Sequence, residues 1–176
     1  MTKLYSLNNF YMITDIKGHK AFNKKLLNYF SEMPCSNTGK ISKTDWKLDI
    51  KEKNYVNYFL KKIKPYYNKI SKIVGFDKWG WKIHNIWFQI YNKNDEHKWH
   101  NHQYANWSNV YYVKLPNKNM STELYNRIKN KPIKINVKEG QLLTFPANVM
   151  HRSPVNKTDK QKIIVSFNSD ILIEKV

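Results

Sequence analysis

Hydrophobic and polar positions follow two different periods along the 176-residue chain, and the change falls near residue 80. Before it, apolar residues recur every three or four positions, the spacing of one helix face. Between 13 and 33, Phe22, Leu26, Leu27 and Phe30 fall on such a face. Between 51 and 76, Val56, Phe59, Leu60, Ile63, Tyr67, Ile70 and Val74 do the same, with lysines on the other side. Pro65 lacks the N–H that an interior turn uses, so it should kink or split that helix, and Gly75 suits its C-terminal cap. After residue 80 the pattern changes to short β-like runs bounded by turn residues, at 81–91, 108–116, 132–137, 141–146, 150–155 and 162–168. The segment 121–131 reads as a helical turn or as a loop. Many short strands with few helices between them predict an α+β, mainly β fold, an antiparallel barrel or sandwich with the N-terminal helices on one face. The length suits a single domain, with residues 1–79 as helical support and 80–176 as the β core.

Composition changes this picture little. Hydrophobic content of 41% and aromatic content of 15% suit a packed core. The apolar runs are too short for a membrane span, and the first 18 residues lack the apolar centre of a signal peptide. Cys35 is the only cysteine, which excludes an internal disulfide and fits a reducing cytoplasm. The net charge of +18 raises the question of nucleic acid. However, 29 of the 31 basic residues are Lys, and Asn (22) and Ile (17) are abundant as well. These three amino acids share AT-rich codons. Codon bias therefore accounts for the charge without a polynucleotide partner, whose recognition favours the arginine fork. A basic surface still suits acidic partners.

The chemical signal is in the histidines. His100 and His102 stand one residue apart, and in extended chain such residues point to the same side, so two imidazoles can face one point. That is metal-ligand spacing if a third ligand arrives, and it also suits a polar surface pair. His151, in "EGQLLTFPANVMHRSPVN", opens a later strand and is the candidate third ligand. His19 and His97 read as solvated surface, and His84 as a structural residue within a strand.

The ordered pieces "NIWFQIYNKNDEHKWHNH", "WSNVYYVKLP" and "EGQLLTFPANVMHRSPVNKTDKQKIIVSFN" resemble the Fe(II)- and 2-oxoglutarate-dependent oxygenases. The likeness is strongest to the prolyl-hydroxylase-like branch and to short oxygenases of marine bacteria and their phages. It spans residues 80–168. It implies a double-stranded β-helix (jelly-roll) core and Fe(II), 2-oxoglutarate and O2 as cofactor and co-substrates. It also implies a hydroxylase that releases succinate and CO2. On this resemblance the metal and catalytic residues are His100, His102 and His151. His102 stands where the family usually has a carboxylate. Lys162 takes the place of the basic residue that binds the distal carboxylate of 2-oxoglutarate, assisted by Ser166, Tyr91 and Tyr112. Arg152, beside His151, is a rival for that carboxylate, although strand alternation turns it away. Trp87, Trp99, Tyr104 and Trp107, with Arg152, are candidates for the substrate entrance, and each could equally be packing.

A three-histidine set brings no negative charge to the metal, and Asp95 or Glu96 could supply one by looping back. Two other readings stay open. A three-histidine cupin-type dioxygenase would need no 2-oxoglutarate, and a non-catalytic basic jelly roll would bind nucleic acid through its lysines. The resemblance points to a protein or peptide substrate, prolyl foremost. The basic charge extends this to an acidic or ribosome-associated target, in the cytoplasm, or the host cytoplasm if phage-encoded.

Overall fold

A computed structural model describes residues 10–75 and 80–172 of the chain. Two antiparallel sheets face each other. The larger is formed by β1 (Met12–Asp15), β2 (Lys43–Thr44), β3 (Gly80–Tyr91), β5 (Trp107–Lys114), β8 (Gln141–Pro146) and β10 (Lys162–Leu172), in the order β1-β8-β5-β10-β3-β2. The smaller holds β4 (His97–His100), β6 (Glu123–Asn126), β7 (Lys131–Lys134) and β9 (His151–Ser153), in the order β4-β9-β6-β7. This is the mainly β, α+β fold that the pattern predicts, in the jelly-roll form that the resemblance implies.

Alternation along the large sheet divides its two faces. Ile86, Phe88 and Ile90 of β3, Tyr111 and Val113 of β5, and Ile163, Val165 and Phe167 of β10 point to one side. There they meet α1 (His19–Glu32) through Phe22, Leu26 and Phe30, and α2 (Val56–Ile73) through Phe59, Ile63, Tyr67 and Ile70. Each of these large side chains, removed from water, contributes roughly 1.5–3 kcal/mol. The other face carries Tyr91, Val110, Tyr112, Leu143, Phe145 and Ile164, which close on the small sheet. Buried Asn23 locks α1 in place. Its Nδ2 donates to the Val113 carbonyl at 2.8 Å, and its Oδ1 accepts from the Tyr111 hydroxyl at 2.5 Å.

Several local expectations change. The helical spacing from residue 13 is interrupted, because Gly18 adopts φ +68° and α1 starts only after it. The residues before it form β1, an edge strand paired with β8. Helix α2 runs unbroken through Pro65. Pro65 and Lys61 both lie on the exposed face, where water satisfies the Lys61 carbonyl that loses its N–H partner. Gly75, at φ +79°, follows α2 in the capping place its position suggests, and Phe76 lies outside the described residues. The segment 121–131 is neither helical turn nor loop but contains β6, tied to β7 through a tight turn at Asn130.

Strand β3 is covered by β2 only at Gln89 and Ile90, and side chains take over beyond that point. Asp45 Oδ1 accepts from the Phe88 N–H at 2.8 Å, Thr44 Oγ1 donates to the Phe88 carbonyl at 2.8 Å, and Lys53 Nζ donates to the Ile86 carbonyl at 2.6 Å. The Tyr55 hydroxyl and Lys53 also face Asp45 Oδ2, at 2.9 and 3.8 Å. Burial pushes the Asp45 carboxyl up, against the pull of Lys53, and pushes Lys53 down. Asp45→Ala should cost about 3–5 kcal/mol in urea unfolding, since it strands a buried ammonium and an unpaired backbone N–H. A loss below about 1 kcal/mol would show that these side chains do not hold the edge.

Candidate metal centre

The small sheet brings the histidines together. Strand β4 pairs with β9 so that His100 stands directly opposite His151. His102 follows just beyond the end of β4, and its backbone N–H donates to the Ala147 carbonyl at 2.9 Å, which ties this loop to the end of β8. One nitrogen from each of His100, His102 and His151 lies within 4.8 Å of the other two. The ring centroids are 4.2 Å apart for His100 and His151, 5.1 Å for His100 and His102, and 5.2 Å for His102 and His151.

Two of the rings are oriented from behind. The His100 Nδ1 lies 2.7 Å from the Lys98 carbonyl and the His151 Nδ1 lies 2.9 Å from the Val149 carbonyl. A carbonyl only accepts, so each Nδ1 carries the proton and each Nε2 keeps its lone pair for the centre. Burial keeps the rings neutral as well: it lowers His100, lowers His102 to about 4, and holds His151 well below its ordinary value. Neutral imidazoles with directed Nε2 lone pairs suit a divalent transition metal such as iron. His97 joins this group, contrary to the expectation of a solvated residue. It stacks on His100 at 3.9 Å and burial lowers it to about 3. A register irregularity between His97 and His100 turns both rings into the cleft, which simple alternation would forbid.

The opposite wall is a ladder of cross-strand pairs from β10 and β3: Lys162 with Tyr91, Ile164 with Gln89, Ser166 with Trp87, and Asn168 with Asn85. Lys162 closes the inner end at 1% exposure. Its Nζ donates to Ser153 Oγ at 2.7 Å and lies 4.9 Å from the centre of the Tyr91 ring. No carboxylate of the described residues forms an ion pair with it, and burial lowers it to about 7. A buried ammonium beside a metal-binding cluster, with no anionic partner, fits an incoming carboxylate.

The remaining candidates divide. Tyr91, Ser166 and Trp87 line the cleft. Tyr112 is set one layer back, fully buried, with its hydroxyl donating to Thr122 Oγ1 at 2.7 Å. Arg152 reaches the cleft but is engaged. Its Nε donates to Glu123 Oε2 at 2.8 Å, and its guanidinium lies 4.8 Å from the centre of the Trp99 ring. Trp99 is thereby part of an outer cluster with Tyr125 and does not line the cleft. Trp107 turns to the helical side, beside Tyr67 and Ile70 of α2. Tyr104 is 85% exposed on the loop past His102. Asp95 Oδ2 caps a turn by accepting from the Ser42 and Asn92 N–H groups, both at 2.8 Å. Glu96 faces Lys40 at 3.8 Å. Neither carboxylate turns toward the histidines, so the cluster is all imidazole.

Residues 85–131 match the family model described as "Putative 2OG-Fe(II) oxygenase", a stretch that includes His100 and His102. Solved structures share the fold. The viral collagen prolyl hydroxylase of Paramecium Bursaria Chlorella virus-1, solved with 2-oxoglutarate, is 16% identical with a TM-score of 0.60, covering 93% of this chain and 96% of that one. An oxidoreductase of the 2OG-Fe(II) oxygenase family from Burkholderia pseudomallei reaches a TM-score of 0.75 at 7% identity, with coverage of 91% and 84%. A Pseudomonas putida prolyl-4-hydroxylase gives 0.63 at 9% identity, with 91% and 92%. No curated protein sequence matches significantly. Family match, fold and histidine cluster point the same way. Over residues 85–131 the chain is similar to the Fe(II)- and 2-oxoglutarate-dependent oxygenases, and its fold is theirs.

The Lys162 amine should titrate near 7, followed by NMR of labelled lysine. Its folded value lies below the ordinary 10.5, so between about 7 and 10.5 the unfolded chain holds the extra proton and stability rises with pH. Lys162→Met should lack that rise. Equal slopes in the two proteins would show that the buried amine is not depressed.

Proposed function

We propose that this protein is an Fe(II)- and 2-oxoglutarate-dependent oxygenase that hydroxylates a residue in a protein or peptide, prolyl foremost. In this reading His100, His102 and His151 hold Fe(II), and Lys162 binds the distal carboxylate of 2-oxoglutarate. The observation that carries the assignment is the placement of three neutral imidazoles, two of them directed by carbonyls, across one cleft from a buried ammonium with no anionic partner among the described residues. Bound iron and 2-oxoglutarate supply the oxidising chemistry that couples decarboxylation to succinate and CO2 with hydroxylation of a C–H bond by O2.

The chain's own residues do the positioning. The Lys98 and Val149 carbonyls hold the His100 and His151 rings in the ligating tautomer. Ser153 and Tyr91 fix the Lys162 ammonium at the inner end of the cleft. Ser166, two rungs along β10, presents a hydroxyl to the same wall, and the apolar ring of Trp87 limits water beside His102. Tyr112 acts through Thr122. The fold shared with the viral collagen prolyl hydroxylase and the Pseudomonas putida prolyl-4-hydroxylase supports the prolyl reading. Residues 80–176 would carry the reaction and residues 1–79 its support, as one catalytic domain.

Anaerobic protein titrated with Fe(II) and then 2-oxoglutarate should develop the visible charge-transfer band of the chelated keto acid. His151→Ala and His100→Ala should lose the band and the iron while keeping the fold by circular dichroism. His102→Asp should retain both. Lys162→Met should weaken 2-oxoglutarate by about 10- to 100-fold, the worth of a charge-assisted hydrogen bond. Iron without the band would move the assignment to a three-histidine dioxygenase that uses no 2-oxoglutarate. Absence of iron would leave a non-catalytic basic module, with salt-sensitive polynucleotide binding as its signature.

A further inference from the structure

Beyond His102 the cleft opens into a second groove of about 410 Å³ that the positioning described above leaves unused. His102 and Asn168 line both spaces, so the groove leads directly to the histidine cluster. Its wall continues the β3–β10 ladder to the last rung, where Asn85 and Asn168 stand in register on neighbouring strands. The two amides present opposite chemistry. Asn85 Oδ1 is buried and has no hydrogen-bond partner. Asn168 Oδ1 accepts from Ser108 Oγ at 3.0 Å, which leaves its amide nitrogen as the free donor end. An acceptor and a donor side by side match one residue of an extended polypeptide, whose N–H and C=O project to the same side.

The surroundings narrow the substrate further. Trp46 and Tyr104, 50% and 85% exposed, offer flat apolar faces above the amides. Trp46 meets Trp87 edge-on at 4.4 Å, and Trp87 lies 5.9 Å from the His102 ring, so aromatic surface leads from the groove to the metal cluster. The chain has 31 basic residues, yet among the described residues no Lys or Arg lines this groove. Outside the cluster its ionisable members are Tyr104 and His84, and His84 faces Asp170 at 3.3 Å. A phosphate-bearing strand would find no counter-charge here, and neither would an acidic peptide.

We infer that Asn85 and Asn168 hold the backbone of an extended, uncharged peptide segment whose side chains lie against Trp46 and Tyr104, next to the reacting position. This rests on the reading of the histidine cluster as the reaction centre, and it sets aside the acidic target that net charge suggests. Recognition is by hydrogen bonds and aromatic surface.

Protein loaded anaerobically with Fe(II) and 2-oxoglutarate would be titrated with capped Pro-Ala-Gly peptides that are uncharged, Glu-substituted or Lys-substituted, and binding followed by calorimetry. The uncharged peptide should bind most tightly. Asn85→Leu and Asn168→Leu should each weaken it by about fivefold to tenfold, the worth of one neutral hydrogen bond. Trp46→Ala and Tyr104→Ala, at exposed positions that do not threaten folding, should weaken it as well. The charge-transfer band in the same samples separates the two readings, since its absence from the wild type would remove the reaction centre itself. With the band present, equal peptide affinity in wild type and every variant would overturn the groove assignment alone. So would failure of all the peptides to bind, or tighter binding of the Glu peptide or of an adenine oligonucleotide.

Discussion

Strands β3 and β10 lie beside each other over eleven registered pairs, and the two-residue period of that pairing organises the rest of the molecule. Every odd position of β3 from Asn85 to Tyr91 faces the cleft or its adjoining groove, and the even positions between them face the helices. A slip of one residue would bring Phe88 and Val165 into the cleft and turn Lys162 into the helical core. The apolar contacts under α1 and α2 therefore fix the register of the cleft as well as the stability. The bulge at Asn168–Ser169 falls after the last functional rung, so the strand bends only once the four cleft-facing pairs are in place. The side chains of Thr44, Asp45 and Lys53 on the outer edge of β3 protect the same register, because a full partner strand is absent there.

Much of this was legible in the chain. Strand β8 falls at the residues its pattern marks, and β3, β5 and β10 differ from theirs only at the ends, because long apolar runs between turn residues leave few alternatives. The His-x-His pair and distal His151 could be read because a shared ligand imposes short, recognisable spacing. What escaped was set by tertiary contact. Strand β1 exists because β8 offers it an edge, and the helical residues after Gly18 masked it. His97 reaches the cleft only through an irregularity in β4, which no periodicity announces. Trp107 and Trp99 share their composition with Trp87, yet side-chain direction sends them to the helical side and the outer surface. Asn85 and Asn168 are two of 22 asparagines, and only register makes them a pair.

Charge on the whole chain and charge at the site are separate matters. The surface is strongly basic, but the cleft and its groove hold mostly neutral imidazoles, amides, hydroxyls and aromatic rings, with Arg152 paired to Glu123 and Lys162 buried at the inner end. Surface lysines are hydrated and screened beyond about 10 Å at ordinary salt. A single ammonium out of water acts on its neighbours far more strongly than many in it. Net charge therefore describes how the protein meets bulk polyanions, while the site's selectivity comes from one buried amine and a few directed dipoles.

The all-imidazole cluster has an energetic consequence for how the site loads. With a carboxylate ligand, a dication entering the cleft meets a counter-charge at once. Here it meets only neutral nitrogens, and desolvating an ion without compensation is costly. The negative charge in the proposed complex arrives with the dicarboxylate, one end at the histidines and the other at Lys162. Each partner then supplies what the other lacks: the metal lowers the cost of burying the anion, and the anion lowers the cost of burying the metal. Such coupling is reciprocal by thermodynamic necessity, so the histidines favour the co-substrate as much as the lysine favours the metal. In that proposed complex the two halves of the centre assemble together, and Lys162, on a different strand from the histidines, would belong to the metal site in energy though not in contact.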